Sequence, residues 1–164
     1  MKQLGIPGNY GAQRGMAVQA EARELVSVGA NPYGRDIRLA PPAAAAWARM
    51  RDDAAASGVA LVAISGFRSV ERQAEIIRGK LASGDTIDAI LRSVAAPGYS
   101  EHHTGRAIDI GVPDEPPLTE EFARTPAFLW LQANAVRHGF HLSYPRGNTQ
   151  GLAYEPWHWC HGPR

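Results

Sequence analysis

Most of the chain's capacity for chemistry is concentrated in two short clusters. Residues 100 to 109 read Ser-Glu-His-His-Thr-Gly-Arg-Ala-Ile-Asp, and residues 155 to 158 read Glu-Pro-Trp-His. All six histidines lie beyond residue 100. A catalytic zinc takes three protein ligands from histidine and carboxylate, keeps a fourth position for water, and has a carboxylate nearby to act as base. His102 and Asp109 flank Gly105, a natural turn point, so a loop and the strand after it can bring both to one metal. His158 supplies a third ligand. Glu155, held off by the intervening Pro156, is placed to be the base. These are the parts for metal-assisted hydrolysis of a peptide bond.

Taken one at a time, the same residues have plainer readings. A single histidine in a globular domain is usually a surface or hydrogen-bonded residue. Asp109 reads equally well as a cap or turn acid, and Trp157 and Trp159 as core residues of a last strand. His103 is adjacent to His102 and competes with it as a ligand. Cys160 lies two residues after His158, so on a strand the two share a face; a buried structural thiol is the simpler reading. Arg68 reads first as an ion-pair partner for Glu71 or Glu75. His138, His141 and His161 fit no ligand position.

The elements that must position these residues follow from periodicity. Residues 1–15, with four glycines and a proline, read as an irregular arm whose glycines confer flexibility. Alanine, leucine and valine among charges predict a short helix over 16–28. Residues 31–40 read as a turn leading into an extended piece. Pro41 and Pro42 suit the first turn of an alanine-rich helix ending near Ser57. Val59 to Ser65 is a buried strand. Ser69 caps a helix over 71–80, and another helix covers 86–94. Residues 96–104 are turn-like, 107–112 a strand and 113–117 a loop. A helix over 126–138 ends at Gly139, and strands follow over 140–143 and 154–160. This order predicts an α+β fold with a small antiparallel sheet flanked by helices.

Length and composition exclude several classes. The 164 residues suit one domain, and 45% hydrophobic with 20% charged residues is ordinary globular usage. A net charge of +1 and scattered arginines provide no stripe for a phosphate backbone, so no nucleic-acid partner is expected. The single cysteine excludes an internal disulfide. No apolar run is long enough to span a bilayer, and the N-terminus lacks the apolar stretch of a signal peptide. There is no Gly-x-Ser-x-Gly elbow, no Walker loop and no Gly-x-Gly-x-x-Gly after a strand.

Three ordered motifs carry a family resemblance. Ser100, His102, Gly105, Ala107 and Asp109 match Ser-x-His-x-x-Gly-x-Ala-x-Asp. Glu155 and His158 match Glu-x-x-His, and Ser65 to Ser69 match Ser-Gly-Tyr/Phe-Arg-Ser. With them the chain resembles the D-alanyl-D-alanine carboxypeptidases of the VanY and VanX type, zinc peptidases with the hedgehog/DD-peptidase fold. The likeness covers about 37–161. It implies an arm and short helix over 1–30 and a catalytic domain over 31–164.

The resemblance further implies Zn2+ on His102, Asp109 and His158, with Glu155 as general base. Arg68 would stabilise the oxyanion, and Ser100 and Gln73 would contact substrate. The implied substrate is a peptidoglycan stem peptide ending in D-Ala-D-Ala, from which the terminal D-alanine is removed. The alternatives on this scaffold are an L,D-carboxypeptidase, an endopeptidase cutting L-Ala–D-Glu bonds, and a non-catalytic zinc-binding module. A wall substrate implies action outside the cytoplasm; the N-terminus, without an export signal, also suits a cytoplasmic or phage-lysin origin. Oligomeric state is not encoded in these motifs.

Overall fold

In the computed structural model, which describes residues 1–113 and 115–163, the polypeptide forms two antiparallel sheets wrapped by helices. Asp114, inside the loop expected over 113–117, and Arg164 lie outside the described residues. A two-stranded hairpin pairs β1 (Val26–Ala30) with β2 (Asp36–Leu39). The main sheet has four strands: β3 (Val62–Ser65), β4 (Ala107–Gly111), β5 (Phe140–Leu142) and β6 (His158–His161). Their order is β3-β4-β6-β5, every neighbour antiparallel. The expected α+β class with a small antiparallel sheet is what forms.

All five residues of β4 are buried. It is an interior strand, and alternation sends its side chains to two faces. Ile108 and Ile110 enter the main core with Leu39, Trp47, Met50, Phe128 and Trp159. Asp109 necessarily faces the other way. Facing that core, α2 (Pro41–Ala56) buries Ala43, Ala46, Trp47, Met50 and Ala54, one helical stripe. Pro41 opens α2, as anticipated, because a first-turn residue needs no N–H partner.

Ser69 caps α3 (Val70–Ala82), its hydroxyl accepting from the Arg72 N–H at 3.1 Å. The helix expected over 126–138 divides into α5 (Pro126–Asn134) and a 3-10 turn, Ala135–His138, ended by Gly139 at φ 77°.

Three expectations fail, the first to long-range hydrogen bonds and the other two to local turns. Residues 16–28 are not helical: Gln19 N–H donates to Gly98 C=O and Ala22 N–H to His103 C=O, both at 2.8 Å, before β1 begins. Pairing along the 96–104 loop and then with β2 overrides local helix preference, a weak bias per residue. The helix over 86–94 shortens to α4 (Ile87–Ile90) and continues as turns, where the Ser93 hydroxyl bonds back to Ile90 C=O at 3.4 Å. The last strand begins at His158 rather than Tyr154, because residues 155–158 turn, the His158 N–H donating to Glu155 C=O at 3.1 Å.

The N-terminal glycines also differ from expectation. Residues 10–14 form α1 (Tyr10–Arg14), and Leu4, Ile6 and Tyr10 are buried with Ala74 and Ile77 of α3 and Ile90 of α4. A Cβ at Gly11 would stand 2.4 Å from the Tyr99 ring and 2.9 Å from Met16 O. Gly11 therefore serves close packing rather than flexibility.

Candidate metal centre

Register brings the centre together. Asp109 is directly opposite His158 on one side and Ser65 on the other, so these side chains share the sheet face away from the main core. The third candidate ligand comes from a 3-10 turn, Glu101–Thr104, which precedes β4. Gly105 ends that turn at φ 65°, and a Cβ there would meet Ala40 N at 2.8 Å. Only glycine fits both the left-handed backbone and the close approach, which folds His102 back over Asp109.

His102, Asp109 and His158 are each about 3% exposed, and one ligand atom from each lies within 4.8 Å of the other two. His102 Nε2 is 3.3 Å from Asp109 Oδ2, and His158 Nδ1 is 3.2 Å from Asp109 Oδ1. The latter approach lacks hydrogen-bond geometry, so Oδ1 is a buried carboxylate oxygen without a hydrogen bond. Such an atom is costly unless something else satisfies it. A divalent cation held by these three residues would do so, and the donor set of two imidazoles and a carboxylate suits zinc.

The outward nitrogens are fixed by partners. His102 Nδ1 is 2.7 Å from the Gly66 carbonyl, and His158 Nε2 is 2.9 Å from Glu101 Oε2. Neutral imidazoles donating at these positions present Nε2 of His102 and Nδ1 of His158 as lone pairs toward Asp109. Ser143 Oγ donates to the same Glu101 oxygen at 2.6 Å. Glu101 lies within the first motif but carries no signal of its role in sequence, since a glutamate beside a histidine in a loop has no periodicity. Only the fold reveals its contact with His158, 57 positions away.

The electrostatics follow from burial and proximity. Burial alone would raise the Asp109 pKa, but the His102 and His158 rings outweigh it and hold the carboxyl far below its usual range. Burial lowers the His102 pKa. At His158 burial is outweighed by Asp109 and Glu101, which raise it to about 10, so a cation at Nδ1 competes with a proton. Glu101 falls to about 2 because its bonds to His158 and Ser143 overcome its burial.

Glu155 goes the other way: burial, reinforced by Asp109 and Glu101, raises it to about 7 against the pull of His158 and Arg68. Its Oε2 is 3.7 Å from His158 Nδ1, carried there by the turn at Pro156.

One cavity of about 340 Å³ is lined by Arg68, Gln73, Ser100, His102, Asp109, Glu155 and His158, so every site residue anticipated from sequence meets in one place. Arg68 does not form the ion pair that its sequence context first suggests: Glu71 pairs with Arg78 and Glu75 with Arg72. Its Nη1 instead donates to Gln73 Oε1 at 2.9 Å, and Gln73 Nε2 donates to Ala95 C=O at 2.7 Å. Gln73 is thus a buried brace that aims the guanidinium into the cavity.

His103 turns away from Asp109. Its ring bridges Arg68 C=O at 2.6 Å and the Gly98 N–H at 3.1 Å, which removes it as a competing ligand. Trp159 is core, and Trp157 packs against the same core while also lining the cavity. Burial raises the Cys160 thiol pKa to about 12.

A buried pair of imidazoles and a carboxylate, with a second carboxylate and a guanidinium at the same cavity, is a set of groups that suits a divalent metal and hydrolytic chemistry. The comparisons with known proteins are more specific. The chain belongs to the VanY family, D-alanyl-D-alanine carboxypeptidase, whose sequence profile matches residues 36–164. A D-alanyl-D-alanine carboxypeptidase of Enterococcus faecalis (strain ATCC 700802 / V583) is 34% identical over 168 residues, covering 96% of this chain and 55% of the relative. The chain spans just over half the length of two curated relatives that it matches.

Among solved structures, the LdcB LD-carboxypeptidase superposes with a TM-score of 0.77 at 33% identity, covering 87% of this chain and 70% of its own. A variant of the vancomycin-resistance D,D-pentapeptidase VanY, in complex with Zn(II), gives 0.68 at 30% identity, covering 88% and 81%. No helix among the described residues is long and apolar enough to cross a membrane.

Proposed function

We propose that this protein is a zinc-dependent D-alanyl-D-alanine carboxypeptidase that removes the terminal D-alanine from peptidoglycan stem peptides. The observation that carries this reading is the buried His102–Asp109–His158 cluster, with its orphaned Asp109 oxygen, in one cavity with Glu155 and Arg68. Zinc, when bound, polarises the scissile carbonyl and lowers the pKa of its water to about 7. Glu155 accepts a proton from the attacking water and passes it to the leaving amine. Arg68, always charged and held by Gln73, donates to the carbonyl oxygen as negative charge develops there. Ser100 lies buried on the wall of the same cavity, positioned to contact the peptide.

Arg68→Ala is expected to lower kcat by about 10²–10³, the usual cost of one oxyanion donor, while zinc content stays unchanged. Steady-state kinetics with metal analysis checks this; unchanged kcat would remove Arg68 from the reaction. Glu101→Gln is expected to weaken zinc binding by about 10–100-fold through loss of the carboxylate that orients His158. Competition with a chromogenic chelator measures that shift.

A second reading, L,D-carboxypeptidase, is favoured by the superposition on LdcB. Incubation with stem pentapeptides ending in D-Ala-D-Ala and with tetrapeptides ending in one D-alanine, read by mass, separates the two. Loss of one D-alanine from the pentapeptide, abolished by chelation and restored by zinc, supports the first reading. Shortening of the tetrapeptide alone supports the second, and cleavage of neither with zinc present overturns both.

A further inference from the structure

Glu101 has a second neighbourhood beyond His158. On its other side stand His141 of β5 and Cys160 of β6, paired directly across the antiparallel ladder. Glu101, His141 and Cys160 each offer one ligand atom within 4.8 Å of the other two. His141 Nδ1 is 3.1 Å from the Gly162 carbonyl, the arrangement that orients His102 in the first centre. A ring donating there turns Nε2 into the acceptor. Ser143 and His158 both bond Oε2 of Glu101, so a cation can take the other carboxylate oxygen without breaking either bond.

The surroundings suit a bound ion. Cys160 is 1% exposed, while Glu101 and His141 are half-buried and line a cleft of about 290 Å³ with Ser143, Pro145 and Asn148. The cleft gives entry from solvent and room for a water as fourth ligand. One thiolate, one imidazole and one carboxylate form a set that zinc accepts and that harder cations such as magnesium do not favour.

We propose that Glu101, His141 and Cys160 form a second site for a thiophilic divalent cation such as zinc, cobalt(II) or cadmium, separate from the His102–Asp109–His158 centre. On binding, the Cys160 S–H bond breaks, the sulfur keeps the electron pair and forms the metal–sulfur bond, and the proton leaves to solvent. No redox change is involved. Glu101 is shared between the two sites, orienting His158 through Oε2.

Titration of the metal-free protein with cobalt(II), with equilibrium dialysis for stoichiometry, tests this directly. The first equivalent is expected to bind without sulfur-to-metal charge-transfer absorption, and a second, weaker one to bring that band. Cys160→Ala is expected to abolish the band and leave the first equivalent in place. His141→Ala, at a less buried position, is expected to weaken the second equivalent at least tenfold with no change in the first. Saturation at one equivalent without a band overturns the site. So does a second equivalent without the band and indifferent to both substitutions, which is adventitious surface binding. A band arising with the first equivalent and unchanged by His102→Ala would support this site while overturning the His102–Asp109–His158 reading.

Discussion

Glu155→Gln is expected to lower the hydrolysis of stem peptides by about 10²–10⁴ while leaving bound zinc in place. The amide keeps the size and hydrogen-bonding reach of the carboxylate but cannot accept a proton from the attacking water. In the proposed centre the three ligands are on other positions, so zinc content read by elemental analysis is expected to stay at the wild-type level. An active variant would remove Glu155 from the base role, and loss of zinc would recast it as a ligand.

The same change is expected to stabilise the metal-free protein. The Glu155 carboxyl has a folded pKa of about 7, above its usual 4.5. Its protonated form is thus favoured by folding, a contribution fully present below pH 4.5 and lost as pH rises through 7. Above that, the folded state bears a buried charge that glutamine avoids. The shift corresponds to about 3 kcal/mol at 1.36 kcal/mol per unit. In chelator at pH 8, Glu155→Gln is expected to melt above wild type, with the difference vanishing near pH 4. Such a gain in stability on loss of activity is the pattern of a residue kept for chemistry.

The legibility of this fold divides by the range of the interaction. Local signals read correctly: Pro41 at the start of α2, Ser69 capping α3, and Gly139 ending the turn after α5. Gly105 was legible as a turn point because a turn between loop and strand is itself local. Two of the failures lie where distant partners decide. Residues 16–28 contain good helix formers but are drawn straight by hydrogen bonds to Gly98 and His103. Gly11 resembles a flexible glycine until Tyr99 is packed against it.

At the candidate centre, the resemblance carried by the three motifs picked out the three clustered residues with Glu155 and Arg68, whereas each residue read singly had a plainer reading; only Asp109 and His158 are brought together by ladder register. What supports them was invisible. Glu101 meets His158, Gly66 meets His102, and Gln73 meets Arg68, and none of these pairings leaves a mark in periodicity.

Asp109→Asn is expected to have the opposite effect on stability to Glu155→Gln, although both remove one acid from the same cavity. Zinc affinity is expected to fall by more than about 100-fold, since even loss of a residue that merely orients a ligand costs 10–100-fold. Activity falls with it, and excess zinc restores it only in part. In the metal-free protein, Asp109 lies between two buried imidazoles, and its folded pKa is far below its usual 3.8 because of them. Folding therefore favours the ionised form. That stability is present above the unfolded pKa and is lost only as pH falls through the much lower folded value. Removing one partner from a buried charged cluster costs about 3–5 kcal/mol. In chelator, Asp109→Asn is expected to melt below wild type at pH 7 and to remain below it at pH 5. Equal melting at both values would mean that Asp109 is not held as a carboxylate by the two rings. A lower melting temperature with undiminished zinc affinity would mean that the cluster serves the fold and the metal lies elsewhere.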